Sequence, residues 1–127
     1  MTGNPPRYEP DDEPNYNYDN DPTNICGRYI LKYRKPVPCI PLFKWAHWME
    51  KSHRRVRRTQ INNTNISTVF LGLDHSFSRD EDKTPITFET MIFTDGDSEE
   101  YQTMCATWRE ALAMHWEAVS IVRSRNG

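Results

Sequence analysis

Between Arg55 and Phe93 the chain strings strand-like runs together with very short polar connections, and that spacing most restricts its fold. RVRRTQI (55–61) and ISTVFLGLDH (66–75) are separated only by Asn62, Asn63, Thr64 and Asn65. Asparagine tolerates left-handed backbone angles, so the four residues read as a hairpin turn between antiparallel neighbours. A charged loop, SRDEDKTP (78–85), leads to a β-branched and aromatic run, ITFETMIF (86–93). After the turn TDGD a short strand over Tyr101–Met104 is expected.

Other elements flank these strands. RYILKYR (28–34) alternates polar and apolar residues as a strand does, and PVPCIP breaks it with Pro36, Pro38 and Pro41. Pro41 suits the first helical position of PLFKWAHWMEK, where Leu42, Trp45, Ala46 and Met49 form a stripe with Trp48 beside it. The bland reading of those tryptophans, core packing, is preferred to a stacking platform. TWRE (107–110) fits a capping box for a last helix that places Trp108, Ala111, Leu112, His115, Ala118, Val119 and Val122 largely on one side. The order β-α-β-β-β-(β)-α predicts an α+β fold: a small antiparallel sheet of about four strands with two helices packed on one face.

Residues 1–24 differ in kind. They hold five prolines and carry a net charge of −5, against +3 for 25–127. With no apolar periodicity and almost nothing aliphatic to bury, they read as a solvated leader ahead of a single domain, 25–127. The rival reading is a docking arm, with Tyr8, Tyr16 and Tyr18 laid on a basic partner surface or on the core's own basic stretch. The longest apolar stretches fall short of a membrane span and no leader peptide is evident, so neither a membrane protein nor a secreted precursor is expected. Cys26, Cys39 and Cys105 form an odd set without C-x-x-C spacing, which favours reducing surroundings over a disulfide framework or a zinc knuckle.

Three constellations could carry chemistry. If Phe77 pairs with Ile86, Asp74 falls opposite Glu89 on a face shared with Phe70, Gly72, Met91 and Phe93; His75 lies on the other face with Leu71, Leu73, Phe88 and Thr90. Facing carboxylates persist only with an offsetting partner, a shared proton, a metal or solvent. The alternative is that Asp74 merely bonds backbone amides at a strand end. His115 points from the last helix toward the sheet. It is either a hydrogen-bonded core residue, with Asp74 and Glu89 as candidate acceptors, or a fourth titratable group converging with Asp74, His75 and Glu89. No metal-ligand spacing accompanies them. The third is the basic run KSHRRVRR (51–58). On a strand, Arg55, Arg57 and Thr59 share one face while Val56, Arg58 and Gln60 share the other. Arginine forks suit phosphates and carboxylates, and the competing reading is a solvated edge with its stems covering apolar surface. An excess of three positive charges in the core is small for a DNA binder, so a phosphate-bearing small ligand or an acidic protein partner ranks above nucleic acid. Nucleophile elbows, P-loops and dinucleotide fingerprints are absent from the sequence, and Cys105, just ahead of the last helix, is placed where a helix dipole would favour a thiolate.

The strings STVFLGLDH (67–75), FETMIF (88–93) and Thr107, Trp108, Glu110, Ala111 and His115 resemble a family of small proteins carried by bacteriophages and prophages. PVP (36–38), the W-A-x-W helix and RRVRRT extend the similarity over roughly 30–125. The resemblance implies a phage origin and a place in the host cytoplasm, and transfers no activity.

These readings lead to a non-enzymatic accessory protein that acts on the host by binding, in its narrowest form a sponge for a phosphorylated nucleotide signal of host defence. Arg57 or Arg58 would hold phosphate, Trp108 would stack a base, and Asp74, His75, Glu89 and His115 would complete the pocket. No cofactor or metal is expected, and a homo-oligomer is compatible. The alternatives are a small hydrolase using Asp74, His75 and Glu89, and a virion or host-protein interaction module docking through the tail.

Overall fold

A computed structural model of the chain describes residues 27–76 and 84–126. The 1–24 tail, Cys26, Phe77 and most of the 78–85 loop lie outside the described residues. The elements are β1 (Tyr29–Lys32), β2 (Lys35–Pro38), α1 (Leu42–Lys51), β3 (Arg55–Ile61), β4 (Thr64–Phe70), β5 (Phe88–Thr94), β6 (Asp97–Cys105) and α2 (Trp108–Asn126). The fold is α+β: a four-stranded antiparallel sheet in the order β3-β4-β5-β6, a separate β1-β2 hairpin, and two helices.

The β3-β4 and β5-β6 connections are two-residue turns, and the residues there take the angles the turn demands. The first is shorter than the expected 62–65, because Thr64 and Asn65 already pair with Ile61 and Gln60 as the start of β4. Asn62 has φ 54°, while Asp95 and Gly96 have φ 54° and 88°, so both positions of the β5-β6 turn are left-handed. The strand expected over 101–104 accordingly extends back to Asp97. The β1-β2 turn departs from expectation. The run 28–34 stops at Lys32, Tyr33 and Arg34 take φ 50° and 68°, and Lys35–Pro38 returns as a second strand rather than a break. A two-stranded hairpin has only edges, so it tolerates Pro36 and Pro38, whose missing amides face away from a ladder.

β4 also ends earlier than expected, at Phe70. Gly72 (φ +76°) turns the chain there, and its carbonyl accepts the Tyr29 amide at 2.9 Å and the Trp45 indole N–H at 3.0 Å. A Cβ on Gly72 would stand 2.5 Å from Met49 Sδ. β4 thus hands its pairing to the hairpin and to α1 at one glycine, and the Asp74 amide adds a bond to Gly27 O at 2.9 Å.

In α1 Pro41 is the N-cap rather than the first helical residue, and the buried side is not the expected stripe. Leu42 and Ala46 are exposed; Trp48 is the buried residue, with Trp45 and Met49 half-buried. α2 begins on the capping box foreseen at TWRE. The Thr107 hydroxyl accepts the Glu110 amide at 3.1 Å, and the Glu110 carboxylate accepts the Thr107 amide at 3.1 Å.

One face of the four-stranded sheet carries the core. Ile66, Thr68 and Phe70 of β4 and Phe88, Thr90 and Ile92 of β5 are buried there under α2. The core has two apolar clusters. One joins Ile30, Leu31, Val37, Trp48, Phe70, Phe88 and Ala111; the other joins Ile66, Ile92, Ala118, Val119 and Val122. In the first, Trp48–Phe70, Phe70–Phe88 and Phe88–Trp108 stack edgewise or tilted at 5.6, 5.4 and 6.2 Å, linking both helices through the sheet. Each such pair contributes about 0.5–1.5 kcal/mol beyond area burial. Between the clusters lies a polar layer of Thr68, Thr90 and His115, all fully buried.

Candidate binding surface

The polar layer explains His115. Its Nε2 and the Thr59 hydroxyl are 2.8 Å apart, its Nδ1 and the Thr68 hydroxyl 2.8 Å, and Thr68 and Thr90 hydroxyls 2.6 Å. Either neutral tautomer satisfies this chain, because each hydroxyl can donate in one direction and accept in the other. The partners are threonines, and the expected bonds to Asp74 or Glu89 are not formed. Burial, with the Arg57 guanidinium as a second cause, holds the imidazole below its ordinary titration range.

The pairing of Asp74 with Glu89 does not occur. β4 and β5 pair so that Glu89 faces Val69 and Phe88 faces Phe70. Glu89 therefore lies on the sheet face opposite Phe70, where its carboxylate accepts the Gln102 side-chain amide from β6. Asp74 lies past Gly72, and its Oδ1 accepts the amides of Ser76 and Ile86, each at 2.9 Å. These are bonds to backbone amides, the role weighed against a site role. His75 is exposed, and its amide donates to Ile86 O at 2.8 Å. Among the described residues no group of three or more His, Cys, Asp or Glu is arranged to hold a metal.

Trp108 is at the far end of the core. One ring contact goes edgewise to Phe88, and the Arg34 guanidinium sits 5.1 Å from the ring centre. It is a half-buried core residue, engaged by hairpin and sheet. Cys105 also departs from expectation. Burial first, and the Glu110 carboxylate second, push its thiol up to about 11, so the helix start does not yield a thiolate.

The basic run is where exposed functional groups gather. Among the described residues β3 is an edge strand, pairing only with β4 in the sheet. Its register shifts at Val56: Arg55 faces Val69, whereas Arg57 faces Thr68. The bulge alters the expected alternation. Arg57 and Thr59 stand on the α2 side of the sheet, and Arg55 joins Arg58 and Gln60 on the other side. Arg57 lies over the Trp116 ring at 4.8 Å from its centre. Trp116 is 42% exposed and meets His115 edge-on at 5.3 Å. On the opposite side Arg58 donates to Asn65 Oδ1 at 2.9 Å. Arg54, by contrast, donates to Phe70 O at 3.2 Å and ties the strand start to β4.

The predicted residues therefore divide. Arg57 and His115 are neighbours through Trp116 and Thr59; Arg58 shares the strand but not the face; Asp74, His75, Glu89 and Trp108 serve elsewhere. Trp116, which the pattern of the last helix did not single out, is the exposed aromatic of the site. Its signal in the sequence is a large residue next to His115 but off the apolar stripe. The far edge has the opposite character: β6 carries Asp97, Glu99 and Glu100 and no base. Glu99 accepts the Thr94 hydroxyl at 2.5 Å, which most lowers its pKa, and pairs with Arg125 at 2.9 Å, which lowers it further.

No protein-family model, curated protein or solved structure matches the chain. Among the described residues no helix is long and apolar enough to cross a membrane.

Proposed function

We propose that this chain is a binding protein that captures an anionic ligand on the β3 edge. The observation behind the reading is an exposed edge strand with Arg55, Arg57 and Arg58 and no acid, one guanidinium of which is held against an exposed indole. Planar guanidinium groups present paired donors to phosphate or carboxylate oxygens, and an indole beside them supplies apolar area. Asp74, Glu89 and His115 are each engaged in separate hydrogen bonds, so the reading rests on the β3 arginines and Trp116. The phage accessory role suggested by the resemblance accords with a protein that acts by sequestering. A phosphorylated nucleotide signal is the narrowest ligand of this kind, with phosphate on Arg57 and Trp116 in the stacking role first given to Trp108.

The test is calorimetric titration of the full chain with nucleoside triphosphates, followed in parallel by tryptophan fluorescence. Binding is expected to disappear in Arg57→Ala/Arg58→Ala while the melting temperature stays near wild type, since exposed substitutions shift stability by about 0.5 kcal/mol or less. An unfolded double variant would show that the stems are packing, and chemical alteration of the bound nucleotide would turn the reading to an enzyme.

A further inference from the structure

We propose that the β3 edge takes an extended acidic segment of another protein as a fifth strand, antiparallel or parallel to β3, and this rests on the anion-binding reading above. The first observation is the open edge. Among the described residues β3 has a partner on one side only, and from Arg57 to Ile61 its pairing with β4 is regular. The turn residues Ile61 and Thr64 face each other, so in the antiparallel alternation the N–H and C=O groups of Arg57, Thr59 and Ile61 point to β4. Those of Arg58 and Gln60 point outward. An incoming backbone has donors and acceptors to meet.

The second observation is how the arginines are divided. Arg57 stands on the α2 side and Arg55 and Arg58 on the other. A compact anion reaches one of these faces. A strand added at the edge sends its own successive side chains to both faces, so neighbouring acids on it meet Arg57 and Arg58 together. The exposed part of Trp116 offers apolar area to the next residue on the helix side.

The third is the contrast between edges. Charges on an edge ordinarily prevent strand addition. Here they have one sign at each end: β3 is basic, whereas β6 carries Asp97, Glu99 and Glu100. An acidic strand is attracted to one edge and repelled from the other, which fixes where it docks and excludes basic strands from β3.

The test uses the full chain and a fluorescent nine-residue peptide with two adjacent central glutamates flanked by threonine and valine. A second peptide carries lysines in their place, and a third keeps the glutamates but has N-methylated central amides. The acidic peptide is expected to bind, the lysine peptide not to bind, and N-methylation to weaken binding at least tenfold by removing ladder bonds while leaving the charge. Arg57→Glu/Arg58→Glu should reverse the preference to the lysine peptide. Equal binding of the N-methylated and parent peptides would overturn strand addition. So would binding of inorganic triphosphate that depends on Arg57 or on Arg58, with none of the peptides bound, an outcome that leaves the anion-binding reading standing. If neither peptide nor triphosphate binds, both fall. Salt-sensitive oligomers that the acidic peptide fails to dissociate would assign the edge to a second copy and overturn a separate partner. The same follows if the peptide binds only after the acids of 1–24 are replaced by amides in the full chain, which would make residues 1–24 the occupant.

Discussion

The Thr59 hydroxyl on β3 and the His115 imidazole on α2 meet at 2.8 Å, and this bond ties the outermost strand of the sheet to the helix that covers it. It is the outer end of a hydrogen-bonded chain through Thr68 to Thr90 that separates two apolar clusters. Beside the same pair, Arg57 and Trp116 form the exposed part of the candidate binding surface. The buried polar layer thus positions the surface without taking part in it.

The layer makes stability pH-dependent with a definite sign. His115 has a folded pKa below the ordinary imidazole value of 6.5. Above that value both folded and unfolded chains hold it neutral, so its contribution is fully present. As pH falls below 6.5 the unfolded chain takes up the proton first, and stability declines until the lower folded pKa is passed. Urea midpoints between pH 7.5 and pH 5 are expected to fall more in wild type than in His115→Gln. Equal slopes in the two proteins would show that another group is responsible.

Thr68→Val keeps the shape of the layer and removes its central hydroxyl. His115 Nδ1 and the Thr90 hydroxyl then lose a buried partner, which costs about 1–3 kcal/mol. Thr68→Ser retains the hydroxyl and should recover much of the loss in chemical denaturation. Ligand binding at β3 should survive in Thr68→Val once the protein is folded, because the hydroxyl does not reach the surface. A valine variant as stable as wild type would mean the bonds are worth no more than apolar packing there.

Gly72→Ala should destabilise the fold by about 1–2 kcal/mol through its left-handed backbone. The added Cβ also meets Met49 Sδ at 2.5 Å, but that atom lies near the end of a flexible side chain and can move aside. Met49→Ala combined with Gly72→Ala is therefore expected to leave the glycine's own cost in place. Full rescue in the double variant, measured by a thermodynamic cycle, would assign the cost to crowding instead.

Cys105 should be slow to alkylate. With its thiol raised from 9.0 to about 11, the thiolate fraction at pH 8 falls about a hundredfold. Iodoacetamide labelling of the native chain, read by mass spectrometry against a denatured control, tests this. Labelling at the rate of an ordinary thiol would contradict the burial that sets the shift.

What was legible in the sequence were features carried by near neighbours along the chain. The Asn62–Asn63 turn, the Asp95–Gly96 turn and the Thr107–Glu110 capping box each depend on residues within a few positions, and each specified its element. The α+β class followed from their order. Register and facing did not follow, because a bulge or an early stop re-aims every side chain beyond it. One extra residue at Val56 sends Arg55 and Arg57 to opposite faces, and the turn at Gly72 removes Asp74 from the strand on which it would have met Glu89. In the same way, the partners of His115 come from β3 and β4, some fifty residues distant, by way of packing that no local pattern encodes. The sequence alone determined which residues are charged, apolar or turn-forming. Which of them meet was decided only when the sheet register and the seat of α2 fixed them in space, since those choices minimise buried polar loss over the whole core and not over any one segment.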